Sequence, residues 1–171
     1  MAFMQIAEKI MEPLTRAQIQ DLFRSERQKP LIPGLSNVDW GVLDYFGWVH
    51  PDGQRGYVVM PLASSDEFRG ILLRRAASES SKPRLEMCSW CNHVHKANGT
   101  AMFSVVVKGS DERRTIGNLI CRNLDCSLRI RNLASDPPSY MTESIHLDHK
   151  IQRLQNSIYR WLYRSNALYQ V

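Results

Sequence analysis

Apolar residues recur at two different periods along this chain, and the change of period divides it. Ile6 and Ile10 stand one turn apart in residues 3–12, which predicts a short helix stopped by Pro13. Thr15 with Gln18 three positions on fits a capping box, and Ile19, Leu22 and Phe23 follow at i, i+3 and i+4, so a second helix is predicted over about 16–26. After the Pro- and Gly-containing turn at 29–37, aromatic and β-branched residues flank Pro51-Asp52-Gly53, the signature of a hairpin with strands near 43–49 and 56–60. The short apolar run at 70–76 reads as a third strand, and 78–83 as a polar connector. Residues 101–109 and 115–121 are again β-rich around a Gly-Ser-Asp turn, with Phe103, Val105 and Val107 alternating as core positions. A short helix is expected near 124–132, broken by Pro137 and Pro138. The helical period then returns: Leu147, Ile151, Leu154, Ile158 and Trp161 form one stripe of a helix of about 143–166, capped by Thr142, with Lys150, Arg153, Arg160 and Arg164 opposite. The aromatic cluster Trp40, Tyr45, Phe46, Trp48 and Tyr57 is expected as core beneath the first hairpin, in preference to a ligand cage or a base-stacking platform.

Composition adds three constraints. A chain of 171 residues, 43% hydrophobic and 23% charged, suits one globular domain with at most a small appendage. It contains no apolar run of the length a membrane helix needs, and its N-terminus shows no basic segment followed by a small-residue cleavage site, so a cytoplasmic protein without membrane association is expected. The formal charge of +5 and pI of about 9.2 fit an acidic partner or RNA without demanding either.

The four cysteines carry the chemistry. Cys88-x2-Cys91 is followed, after 29 residues, by Cys121-x4-Cys126. In a reducing compartment such pairs point to metal ligation before disulfides. Two tight turns, each offering two thiolates, supply the four positions of a tetrahedral structural zinc site. The intervening hairpin and the helix starting near the last cysteine match the plan of a treble-clef zinc finger. Two other readings stand beside it. Cys88 and Cys91 could form a dithiol redox pair, although that leaves Cys121 and Cys126 without a role. His93 or His95 could replace a cysteine as ligand. His146 and His149, spaced i, i+3, have no evident partner for a second metal site.

Catalysis finds no support. Nucleophile-elbow, P-loop, HExxH and zinc-deaminase motifs are missing, and the carboxylates are scattered. Four thiolates would leave no coordination position for a reactive water. The expectation is a protein that is not an enzyme and has no small-molecule substrate.

The stretches MCSWCNHVHKANGTAMFSVVVKG and TIGNLICRNLDCSLRIRN, followed by a long basic amphipathic helix, resemble the C-terminal zinc-finger domain of the elongation factor G-binding proteins, the FusB-type fusidic acid resistance proteins and their relatives. The resemblance covers roughly 35–167. The resistance proteins carry a helical bundle ahead of this part, where this sequence has room before residue 35 for two short helices at most.

The resemblance implies an α+β fold: antiparallel β-hairpins with a treble-clef zinc finger, short N-terminal helices and a long C-terminal amphipathic helix. In domain terms, it implies a helical segment over 1–30 and an elongation factor G-binding-type domain over 31–171, containing the finger (85–135) and the helix (142–167). It implies one structural zinc ion held by Cys88, Cys91, Cys121 and Cys126. It further implies docking on elongation factor G and help in its release from the ribosome, by binding and not by drug modification. The alternative is a zinc finger that binds ribosomal or other RNA.

The partner-binding candidates are Trp90, on the knuckle between two ligands, and Lys108, Arg113 and Arg114 around the hairpin turn. Trp90 could equally pack on the last helix. With Arg122, Arg129 and Arg131 the basic residues number six between 108 and 131, against Asp111, Glu112 and Asp125.

Overall fold

The β-periodic segments form strands β1 (Phe46–Val49), β2 (Arg55–Pro61), β3 (Phe68–Arg75), β4 (Glu86–Met87), β5 (Val94–His95), β6 (Thr100–Val106) and β7 (Thr115–Cys121) in a computed structural model that describes residues 11–63, 65–77, 82–135 and 138–165. The helices are α1 (Arg16–Leu22), α2 (Cys126–Ile130) and α3 (Leu147–Arg164), with one 3-10 turn at Trp40–Val42. Five strands make one antiparallel sheet in the order β1-β2-β3-β6-β7, and β4 and β5 pair separately as a two-stranded ladder. The fold is thus mixed α+β, with a long C-terminal helix beside the finger.

Strand β2 explains how the sheet is filled. Tyr57, Val58, Val59 and Met60 are all buried, as in a strand covered on both faces. Val58 and Met60 face a core shared with Ile71, Leu73, Phe103, Val105, Ile120 and the α3 residues Leu154, Ile158, Trp161 and Leu162. Tyr57 and Val59 face a second core of Met11, Leu14, Ile19, Phe23, Ile32, Phe46 and Trp48. The aromatic cluster expected under the hairpin is core, but divided: Tyr45 belongs to the first core, while Phe46, Trp48 and Tyr57, with Trp40 packed against them, belong to the second. Strand β6 is covered on one face only, so Phe103 is buried and Met102 is 45% exposed.

The N-terminal segment is bound to the sheet and shares its second core. The capping box is formed: Thr15 Oγ1 accepts from Gln18 N, and Thr15 N donates to Gln18 Oε1 at 2.8 Å. Helix α1 ends at Leu22, short of the expected 26, because Phe23 leaves the helical path to pack edge-on against Trp48 (6.0 Å) and Tyr57 (5.3 Å). The linker that follows is strapped down by Arg16, whose guanidinium donates to Ile32 O and Pro33 O, and by Trp48 Nε1, which donates to Leu31 O at 3.0 Å. The helix expected over 3–12 falls mostly outside the described residues; Met11 and Glu12 are not helical.

Two other boundaries differ. Helix α2 is shorter than 124–132 because Leu124 (φ 55°) and Asn132 (φ 54°) take left-handed conformations on either side of it. Helix α3 starts at Leu147 with His146 at the N-cap, so Thr142 caps nothing. Glu143 is instead paired with Arg153 at 2.7 Å, a contact that ten helical residues, about 15 Å of rise, would forbid. Residues 138–146 therefore run in irregular conformation beside the finger, with Tyr140 N donating to Val94 O and Val94 N to Ser139 Oγ.

Candidate metal centre

Each ligand is delivered by a different local device. Cys88 and Cys91 lie on the turn between β4 and β5. Cys88 N donates to His93 O (3.0 Å) and Asn92 N to Cys88 O (2.9 Å), with Asn92 at φ 59°. Cys121 ends β7, and Cys126 opens α2. The turn between them is closed by Leu124 N donating to Cys121 O at 3.0 Å. This second turn sits on the sheet at Gly47, where a Cβ would meet Leu124 O at 2.8 Å, so only glycine lets the knuckle come so close.

The four sulfurs converge. All lie within 4.8 Å of one another, with Cys88 to Cys126 at 3.7 Å and Cys91 to Cys121 at 3.5 Å, and all four cysteines are free and buried. A tetrahedron with Zn–S bonds of about 2.3 Å separates its sulfurs by roughly 3.8 Å. The spacing therefore fits one zinc ion and is far from the roughly 2.05 Å of a disulfide.

Electrostatics demand a cation. Burial alone opposes ionising Cys88, Cys121 and Cys126. Hydrogen bonds from the other three cysteines and the Cys91 N–H nevertheless hold Cys88 well below the ordinary thiol range. Burial and the other thiols push Cys126 up. Negative charge collected here repels its own kind, and a divalent cation resolves the conflict. The surroundings supply donors toward the sulfurs. Cys121 N (3.3 Å), Trp90 N (3.4 Å) and Cys91 N (3.5 Å) all point to Cys88 Sγ. His95 Nε2 lies 3.4 Å from Cys121 Sγ, and against a thiolate, which only accepts, that nitrogen carries the proton. His95 thus serves a ligand without being one. Its ring lies flat over Gly99, where a Cβ would sit 2.0 Å from Nδ1.

A cage surrounds the knuckle. Trp90 packs edge-on against Trp161 (5.5 Å) and Tyr45 (5.6 Å). Tyr45 Oη accepts from Cys126 N at 3.2 Å, and burial followed by the Cys126 charge raises its phenol well above the ordinary range. Arg153 of α3 donates to Cys91 O at 3.2 Å while holding Glu143. Asp44 binds the Arg131 guanidinium at 2.7 Å and accepts from Gln155, tying α2 and α3 to the chain just before β1.

This geometry redistributes the partner candidates. Trp90 is 1% exposed, which removes it from any docking surface and assigns it to the packing of α3. Lys108, Arg113 and Arg114 are exposed at the β6–β7 turn. Arg129 is buried against Asp125 (2.8 Å) and Arg131 is bound to Asp44, so neither belongs to an open basic surface. Sequence placed Tyr45 in the aromatic core and Arg153 on the basic face of the last helix, and did not mark Asp44; none was tied to the cysteines, because no local spacing marks a residue that reaches the site from 81 positions away, as Tyr45 does.

A knuckle, a hairpin and a helix whose first residue is the fourth ligand define a treble-clef finger with a closed four-cysteine zinc centre. The chain belongs to the FBP C-terminal treble-clef zinc-finger family, which it matches over residues 15–164. Its fold is similar to that of the fusidic acid resistance protein FusC, with a TM-score of 0.58 at 19% sequence identity, covering 91% of this chain. The chain spans 60% of the FusC chain. No curated protein matches it. Among the described residues no helix is long and apolar enough to cross a membrane.

Proposed function

We propose that this chain is a non-catalytic cytoplasmic docking protein that binds translation elongation factor G and promotes its release from the ribosome, in the manner that gives fusidic acid resistance. The observation that carries this reading is the closed four-thiolate centre in a chain of the FBP zinc-finger family, folded like a fusidic acid resistance protein. Four ligands from the protein fill the coordination sphere, so the ion organises a surface and activates no water. The cations at the β6–β7 turn, Lys108, Arg113 and Arg114, are exposed on that scaffold and suit acidic side chains of the factor.

The zinc-loaded protein, mixed with purified elongation factor G at micromolar concentration, is expected to form a 1:1 complex by titration calorimetry. With ribosomes stalled by fusidic acid it is expected to raise the rate of factor release. Failure to form any complex, with or without ribosomes, overturns the reading.

A further inference from the structure

A second polar surface lies on the far side of the knuckle from the hairpin tip. The loop 96–99 and the turn after β7 enclose a depression of about 380 Å³ lined by Lys96, Asn98, Arg122, Asn123 and Arg129, among others, and, among the described residues, by no carboxylate. Arg129 is committed to Asp125. Arg122 is not so placed: its Nε is buried and makes no hydrogen bond. Only its backbone is occupied, donating to Gly99 O at 2.9 Å. Lys96 and Arg122 give the depression two cationic side chains.

The rim supplies an aromatic surface. Lys96 Nζ sits 5.4 Å from the ring centroid of Tyr140, and Tyr140 is 54% exposed. The chain brings Tyr140 there by its N–H bond to Val94 O. Exposed aromatic and basic groups, separated by more than forty positions in sequence, are thus interleaved in space.

We propose that the pocket formed by Lys96, Arg122 and Asn98 binds a phosphate of single-stranded RNA, with Tyr140 as the stacking platform for the adjoining base. A guanidinium matches a phosphate oxygen, and a base gains stacking on the exposed part of the Tyr140 ring. This site is separate from the hairpin-tip cations and does not rest on docking to elongation factor G.

The test is fluorescence anisotropy of the full-length, zinc-loaded chain with a labelled oligouridylate of about twelve nucleotides, a length within single-strand site sizes. Binding is expected at low salt, weakening as salt rises from about 50 to 200 mM. Arg122→Gln and Lys96→Gln are each expected to weaken it about tenfold and to lower the salt slope by about 0.7. Tyr140→Ala should weaken it without changing that slope. Zinc content checks the fold of each variant. Lys96, exposed and remote from the ligands, decides the matter if Arg122→Gln loses metal. The proposal is overturned if the chain binds no oligouridylate, if the Lys96 and Tyr140 variants bind like the parent while Arg113→Gln and Arg114→Gln do not, if polyglutamate competes as well as the RNA, or if inorganic phosphate binds and the oligonucleotide does not.

Discussion

The two faces of the sheet hold together by different means. On one face, aromatic residues from the N-terminal segment and the first hairpin interlock without any ion: Phe23, Trp48 and Tyr57 meet edge-on or stacked within 6.0 Å. On the other, the contacts around Trp90 and Trp161 are brought together by a knuckle, a strand end and a helix start that converge at the four cysteines. The second core is built from residues 11–72 and closes early in the chain; the first needs partners from Tyr45 to Leu162. A metal helps to fix the first, because its ligands come in two pairs 29 residues apart and coordination offsets the loop entropy between them.

The sharpest way to break this contrast is to remove the ion. Zinc in small metallo-domains contributes roughly 10–16 kcal/mol, against a total stability of about 5–15 kcal/mol for a domain. Stripping zinc with a strong chelator, or making Cys126→Ser, is therefore expected to abolish cooperative folding, read as loss of the near-ultraviolet dichroism of Trp90 and Trp161. A chain that keeps its melting transition without zinc would show that packing alone suffices on that face.

A smaller effect belongs to the other core. Phe23→Ala removes a ring that is 2% exposed and meets both Trp48 and Tyr57 edge-on, and is expected to cost about 3–5 kcal/mol while leaving one zinc per chain. Chemical denaturation with metal analysis of the folded fraction checks both halves. Loss of zinc at native conditions would mean that the two cores are not separable in this way.

The smallest effect is at the first hairpin turn. Asp52 accepts the Gln54 N–H and pairs with Arg55 and His50, which lowers its carboxyl to about 2. A depressed carboxyl contributes above its unfolded value near 3.9 and loses that contribution as pH falls through about 2. Carboxyl chemical shifts followed from pH 5 to 2 should place its midpoint well below the ordinary aspartate value near 3.9; a midpoint near 4 would contradict the turn geometry.

The sequence made some of these features legible and hid others for physical reasons. The cysteine spacing, the 3.6-residue stripe of α3, the capping box at Thr15 and the two hairpins each announce themselves locally, because period and turn chemistry act over a few residues. The ladder of β4 and β5 is two residues per strand and carries no period to read. The start of α3 was misplaced because Thr142 and Glu143 look like a cap and a first turn, yet Glu143 is drawn to Arg153. Trp90 could be read either as an exposed anchor or as core, and the choice fell to Trp161, seventy-one positions downstream. The interleaving of Lys96, Arg122 and Tyr140 is likewise a product of chain return and is invisible in linear order.

Strand β2 gives the architecture an unusual sensitivity to length. Odd and even residues from Tyr57 to Met60 serve opposite sides of the molecule. Deleting or adding one residue there would turn each side chain toward the wrong neighbours, presenting phenol and aliphatic groups to partners shaped for the reverse order. Length variants of this protein should accordingly gather in the 62–67 and 107–114 connections and be excluded from the seven residues of this strand.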